Sequence, residues 1–277
     1  MMAKRAEPTF RKTIAPGEGG TAVDTLAAGS GISKTRIKDA MNKGAVWLSR
    51  GRKCFRLRRA TAILAPGDHI ELYYDPDLLA CFPAAPVLVH DAGHYTIWNK
   101  PAGLLTQGTE FGDHGSLLRQ VELYFSMKRE VFPVHRLDRE ASGLILVAHS
   151  SAAAARLSDL FQKQAVEKTY RAIVRGIAGH PGDAGVIETP LDGKPACTHY
   201  RIEAVDAAAV TSTLLIQIES GRLHQIRRHC ASIGYPVMGD PKYGTGNKNS
   251  EGLQLVAESL AYRCPYAGKR LEFSVAD

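Results

Sequence analysis

No run of apolar residues in this 277-residue chain approaches the roughly 18 needed to cross a bilayer, which excludes a helical membrane span. Cysteine is sparse and odd in number. Cys54, Cys81, Cys197, Cys230 and Cys264 never form a Cys-x-x-Cys pair, which argues against a disulfide frame or a zinc site and for a reducing cytoplasm. The basic start of the chain is followed by no apolar segment and does not read as a secretion signal. Gly17-Glu18-Gly19-Gly20 lacks the Lys-Ser/Thr of a phosphate loop and follows no strand. His90 and His94 are four apart, but Gly93 and a proline-rich context argue against the helix such a metal pair needs, so no metal is expected. Acidic residues are scarce in one place above all: residues 1–60 hold 14 Lys plus Arg against 4 Asp plus Glu, while the rest of the chain balances to −3. Solvated basic faces are common, yet the density and one-sidedness of this block favour a grip on a polyanion.

What is present divides by composition. Residues 1–20 are polar and glycine-bearing and read as a flexible basic tail. A compact module follows over 21–75. Thr21 to Ala28 has helical spacing, and Ser33 caps a second helix from Lys34 to Asn42, with Gly44 just beyond it. That helix turns Lys34, Arg36 and Lys38 to solvent and Ile37 and Met41 inward. Strand-like pieces follow at Ala45–Leu48 and Ile63–Tyr74, the latter broken by Pro66-Gly67-Asp68. Residues 76–89, with Pro76, Pro83 and Pro86, read as a linker. From residue 90 to 277, short helices alternate with strands: Leu144–Ala148 is a buried strand, Ala152–Gln164 a helix, and Thr169–Arg175 and Thr213–Glu219 further strands. The fold class is α+β, with helices packed on a mixed, largely antiparallel sheet and a small N-terminal α/β domain.

The most informative stretch is Val134-His-Arg-Leu-Asp-Arg-Glu-Ala-Ser-Gly-Leu-Ile-Leu-Val-Ala-His-Ser150. It sets Asp138 at the mouth of an apolar strand, beside Arg136 and His135, where no helix starts that the acid could cap. An ionised carboxylate in such a place is suited to covalent attack, provided an adjacent cation holds it in its charged form. Three further segments carry chemistry. Asn99-Lys100-Pro101-Ala102-Gly103-Leu104-Leu105 is a turn leaving a strand. In Glu167-Lys168-Thr169-Tyr170-Arg171-Ala172, Tyr170 shares an inward face with Ala172 and Val174. In Ser220-Gly-Arg222-Leu-His-Gln-Ile-Arg227-Arg-His229, a helix from about Leu223 would align Leu223, Ile226, Cys230 and Ile233 in one stripe. Arg227 then falls at the edge of the core and needs an acidic partner, for which Asp138 is the natural candidate.

These four segments, in this order, closely resemble the motifs of RluA-type pseudouridine synthases, from about Val87 onward. Gly234-Tyr-Pro-Val-Met-Gly-Asp-Pro-Lys-Tyr-Gly244 is also family-like. The resemblance implies the pseudouridine synthase fold and isomerisation of uridine in RNA without a cofactor. It implies Asp138 as nucleophile, Arg227 as its partner, Tyr170 as the surface on which the base stacks, and Arg136 as the residue filling the gap left by a flipped base. His135, Arg222 and Lys100 are expected to contact substrate. Leu223 and Cys230 depart from the usual Thr and Leu. The N-terminal module is similar to S-four-like RNA-binding domains through Ile32–Arg36, Lys43–Val46 and Pro66-Gly67-Asp68, with Lys34, Arg36 and Lys38 facing RNA. Ribosomal RNA is the first expectation for the partner and transfer RNA the second, with no membrane and a cytoplasmic monomer. The rival readings are a non-catalytic RNA-binding or ribosome-assembly protein, which would lack Asp138, Tyr170 or Arg227, and a glycosidase, for which only Glu140 offers a second acid nearby.

Overall fold

The computed structural model describes residues 6–275; residues 1–5 of the expected tail lie outside that range. The chain divides into two compact units. One contains the chain up to Pro83 together with Gln107–Leu123, and the other Ala84–Thr106 with everything from Tyr124 onward.

In the first unit, strands β1 (Phe10–Thr13), β3 (Val46–Arg50), β4 (Lys53–Arg56) and β6 (His69–Leu72) form a sheet in the order β1-β6-β3-β4, and β2 (Gly20–Thr21) pairs β5 (Ile63–Leu64). Helices α1 (Ala22–Ser30) and α2 (Lys34–Asn42) begin where their caps sit, since the hydroxyls of Thr21 and Ser33 accept from the amides of Asp24 and Arg36. Ile37 and Met41 are buried and Lys34, Arg36 and Lys38 exposed, as the helical spacing requires. Asp68, buried at the Pro66-Gly67-Asp68 turn, accepts from the Ala65 amide and from two nitrogens of Arg50.

Three boundaries differ from expectation. Phe10–Thr13, placed in the flexible tail, pairs antiparallel with β6, because Phe10 and Lys12 alternate with outward residues along a strand too short to stand out against its charge. The expected linker contains helix α3 (Pro76–Ala80) and the start of β7 (Val87–Asp91). Pro76 does not break structure there: it occupies the first turn, after Asp75 caps the helix by accepting from Asp77 and Leu78. Gln107–Leu123, expected within the catalytic body, belongs to the first unit, where the Trp47 indole donates to the Glu110 carbonyl and Arg58 pairs with Asp113 at 2.5 Å. Most of helix α4 (Leu117–Tyr124) lies in this segment.

The second unit is built on a ten-stranded sheet. Its further strands are β8 (Tyr95–Lys100), β9 (Phe132–Pro133), β10 (Ser142–Ala148), β11 (Val166–Arg175), β12 (Ala184–Ile187), β13 (Thr198–Asp206), β14 (Thr211–Ile218), β15 (Leu255–Arg263) and β16 (Arg270–Ser274), and its helices are α5 (Ser151–Gln162) and α6 (Gln225–Ser232). The order is β12-β13-β14-β11-β15-β10-β8-β7, with β16 added to β15 and β9 to β10. Two apolar clusters flank it. Tyr95, Ile97, Leu144 and Leu146 pack with Ala153 and Leu157 of α5; Ala172, Val174, Leu214 and Ile216 pack with Ile226 and Cys230 of α6. β10 is apolar and buried from Gly143 to Ala148 because it lies in the interior of this sheet.

The centre of the sheet holds a short parallel contact, Ser142↔Val256 and Gly143↔Ala257, within an otherwise antiparallel array. Gly143 sits at φ +111°, and a Cβ there would run into the backbone of Ala257. This glycine therefore sets how closely the strand leaving the Asp138 turn can join the sheet. Gly143→Ala is expected to cost more than the ~1–3 kcal/mol of backbone strain alone. Gly182→Ala, at φ +99° with open space around it, should carry only the strain. Urea unfolding of the two variants beside the parent chain checks the difference.

Candidate active site

A cleft of about 200 Å3 opens in the second unit, lined by Arg136, Asp138, Tyr170, Arg222, Leu223, His224 and Arg227 among others. Its floor is electrostatic. Arg227, only 1% exposed, donates from Nη1 to Asp138 Oδ2 at 3.1 Å, and from Nε and Nη2 to the two oxygens of Asp240 at 2.8 and 2.7 Å. Burial works against the charge of Arg227, but Asp240 and then Asp138 outweigh it and push its pKa up. Burial likewise opposes ionisation of Asp240, yet the guanidinium and the amides of Lys242 and Tyr243 hold its carboxyl below the usual range. Asp138 retains 17% of its side-chain surface and so faces the cleft from an anchored position. Glu140 also reaches Arg227, at 3.4 Å.

The turn carrying Asp138 is held on both sides. The Thr106 hydroxyl donates to the Leu137 carbonyl at 2.9 Å and accepts from the Leu137 amide at 3.1 Å. Beyond the acid, the Lys100 ammonium lies within hydrogen-bonding distance of the carbonyls of Ala141 (2.6 Å), Leu104 (2.8 Å), Pro101 (3.1 Å) and Arg139 (3.3 Å), which share its three N–H groups. Lys100 is wholly buried; burial lowers its pKa to about 8, against the opposing pull of Asp138 and Glu140. This is a correction to its expected contact with substrate: an ammonium surrounded by four carbonyls ties two loops together and reaches no ligand. His135, also expected to contact substrate, is partly buried and is not among the residues lining the cleft. Its Nε2 accepts from the Leu146 amide at 3.1 Å and its ring stacks on Phe161, while burial, with a smaller push from Lys168, lowers its pKa to about 3. It is a neutral part of the scaffold.

Arg136 is exposed at the cleft, and Arg222 lines it while donating to the Pro195 carbonyl at 3.1 Å. Tyr170 also lines it; burial, with the Asp138 charge adding to it, pushes its phenol up, so the hydroxyl keeps its proton. Helix α6 begins at Gln225, two residues later than the apolar spacing predicts. His224 precedes it in the left-handed region at φ 53°, which leaves Leu223 exposed in the cleft wall. The imidazole lies 3.9 Å from Asp138 and bonds Tyr243 at 3.0 Å, and burial lowers its pKa while Asp138 raises it. Asp240, His224 and Thr106 are absent from the candidates drawn from sequence. Asp240 had a signal there: a buried arginine has more donors than one carboxylate can accept, and Asp240 follows closely after the arginine helix. Lys34, Arg36 and Lys38 lie on the exposed face of α2 in the other unit, and Lys34 pairs there with Asp24 at 2.6 Å.

Known proteins with this architecture define the class. Human RNA Pseudouridylate Synthase Domain Containing 1 superposes with a TM-score of 0.58 at 22% identity, over 71% of this chain and 86% of that one, a likeness of fold. The sequence matches the RNA pseudouridylate synthase family over residues 94–232. An uncharacterized RNA pseudouridine synthase of Chloroflexus aurantiacus is 31% identical over 255 residues, covering 83% of this chain and 78% of that protein. Ribosomal large subunit pseudouridine synthase D of Zymomonas mobilis is 31% identical over 219 residues, 67% of each chain. tRNA pseudouridine synthase C of Vibrio cholerae is 31% identical over 217 residues, 66% of this chain and 88% of that one. The chain belongs to the RNA pseudouridylate synthase family, in its RluA-type branch, and is an RNA pseudouridine synthase.

Removing one partner of a buried ion pair leaves the other charge unbalanced, at about 3–5 kcal/mol. Asp240→Asn is therefore expected to lower the urea midpoint by a corresponding amount, whereas Arg228→Gln, which opens an exposed pair with Asp192, should leave it close to the parent value.

Proposed function

We propose that the cleft isomerises a specific uridine of structured RNA, ribosomal RNA in the first place, through covalent attack by Asp138. The observation that carries this reading is a partly open carboxylate held at 3.1 Å by a buried guanidinium, beside an aromatic face. Arg227 aims the carboxylate without being consumed. Attack by Asp138 is coupled to cleavage of the bond between uracil N1 and ribose C1′. The base then turns, C5 bonds to C1′ as the carboxylate departs, the C5 proton is lost to base or solvent and N1 takes one up, so the net change is an isomerisation without a redox partner. Tyr170 serves as the stacking surface, a role suited to a phenol that keeps its proton.

Arg136 and Arg222 supply cations at the cleft for the flipped nucleotide and its phosphates. The first unit acts as an S-four-like RNA-binding module, in which Lys34, Arg36 and Lys38 meet phosphates. This basic module favours a large folded RNA as target. The two relatives named for ribosomal and for transfer RNA leave both classes as substrates to try.

RNA from cells lacking the enzyme, treated with purified protein or with Asp138→Asn, and then mapped by carbodiimide-dependent primer-extension stops, tests the reading. New stops in ribosomal RNA are expected with the parent protein and none with the variant. Stops confined to transfer RNA would move the target, and stops that survive in Asp138→Asn would remove the nucleophile. Extruding a base from a stem costs a few kcal/mol. Arg136→Ala should therefore slow turnover of a stem-embedded uridine by about tenfold or more, and a single-stranded oligomer much less. Equal losses on both would count against the wedge role.

A further inference from the structure

At the end of the β13–β14 pair, three side chains of different donor type converge. Cys197 and His199 are two apart across the start of β13 and so share a face, while Glu219 follows β14 directly. The antiparallel register sets Thr198 opposite Ile218, and the Glu219 amide donates to the Cys197 carbonyl at 3.3 Å, which brings Glu219 alongside. His199 Nε2 lies 3.3 Å from Cys197 Sγ and 2.8 Å from Glu219 Oε1, and one donor atom from each residue falls within 4.8 Å of the others.

We propose that Cys197, His199 and Glu219 bind one divalent cation of the zinc class, through thiolate, imidazole and carboxylate. Zinc binds sulfur at ~2.3 Å and nitrogen at ~2.0–2.1 Å, which in a tetrahedron puts the two donors about 3.5 Å apart. The cysteine and histidine already stand close to that separation, so the site forms by small side-chain adjustments. A thiolate beside an imidazole selects against calcium and magnesium, which require oxygen donors. Binding releases the thiol proton and any proton on the imidazole, and a solvent molecule completes the coordination. Glu188 and Arg222, of opposite charge, line the hollow beside Cys197 and Glu219.

The backbone beneath is fixed in advance. Thr198 points the opposite way into the core, where its hydroxyl meets Gln225 and His229, and the Cys197 carbonyl accepts from Gln225 at 2.8 Å. The role is structural. The same short segment takes the Arg222 bond at Pro195, so a cation here braces the strand ends from which the Arg222–Gln225 wall of the cleft is hung. No metal was expected from sequence because the search there is for ligands spaced along a helix or a Cys-x-x-Cys turn. This set is assembled across two strands, with Glu219 twenty residues beyond His199.

Titration of the metal-free full-length chain with cobalt(II) tests the proposal without reference to activity. One equivalent should give a thiolate-to-cobalt charge-transfer absorption with intense four-coordinate d–d bands, both displaced by one equivalent of zinc, and zinc should raise the thermal midpoint. Cys197→Ser should abolish the charge-transfer absorption. His199→Ala and Glu219→Gln should weaken cobalt binding by at least the ~10–100-fold that loss of a mere outer-shell partner brings. Circular dichroism of each variant establishes that its fold is retained. A parent chain with no thiolate absorption, or an absorption that persists in Cys197→Ser, overturns the assignment.

Discussion

The Arg227 guanidinium meets Asp240 with two nitrogens and Asp138 with a third, in a place almost closed to water. A lone charge there would be prohibitive, and a single carboxylate would leave part of the guanidinium's fork of donors without acceptors. Dividing the work between Asp240 and Asp138, with Glu140 at a longer 3.4 Å, resolves this. Asp240 supplies the fully buried, bidentate half of the neutralisation, and Asp138 is left with one oxygen engaged and a face toward the cleft. Much of the local architecture exists to keep this division. Helix α6 brings Arg227 in from one side. The turn at Gly239, at φ +71° and too close to Gly252 for any side chain, brings Asp240 from the other. Asp240 then accepts two backbone amides that lock its own orientation.

The second constraint is mechanical. Thr106 fixes Leu137, and Lys100 gathers the carbonyls of Arg139 and Ala141, so the backbone is pinned on both sides of the acid. Such restraint fixes where the Asp138 carboxylate stands in the cleft, and in enzyme sites a misplacement of about 1 Å can cost 10²-fold in rate. Lys100 and His135 thus contribute as framework: both belong to motifs that carry chemistry, and both are withdrawn from it.

The sequence was legible where local pattern decides structure. The capped helices of the first unit, the apolar strand Leu144–Ala148 and the helix after it follow from spacing and cap residues. Four motifs in a familiar order, read through their family resemblance, nominated Asp138, Tyr170 and Arg227. What stayed hidden was assembled by tertiary pairing. Phe10–Thr13 is a strand only because β6 lies beside it. Leu223 looks like core by periodicity, but the left-handed residue His224 delays the helix and leaves it exposed. Residue type alone cannot say whether Lys100 and His135 face a ligand or a ring of carbonyls. Asp240 reads as a turn residue until its partner, thirteen positions earlier, is seen to be buried.

The grouping of Gln107–Leu123 with the N-terminal unit gives the chain an unusual wiring. The polypeptide passes between the two units three times, after Pro83, after Thr106 and after Leu123, where a bead on a string would need one passage. Cutting the first passage alone would not detach the basic unit, because the other two still tether part of it to the body that bears Asp138. Nor can the catalytic unit be inherited as an uninterrupted cassette, since its own reading frame encodes a piece of its neighbour. Exchange of the first unit for another would therefore have to replace two separate stretches of sequence at once.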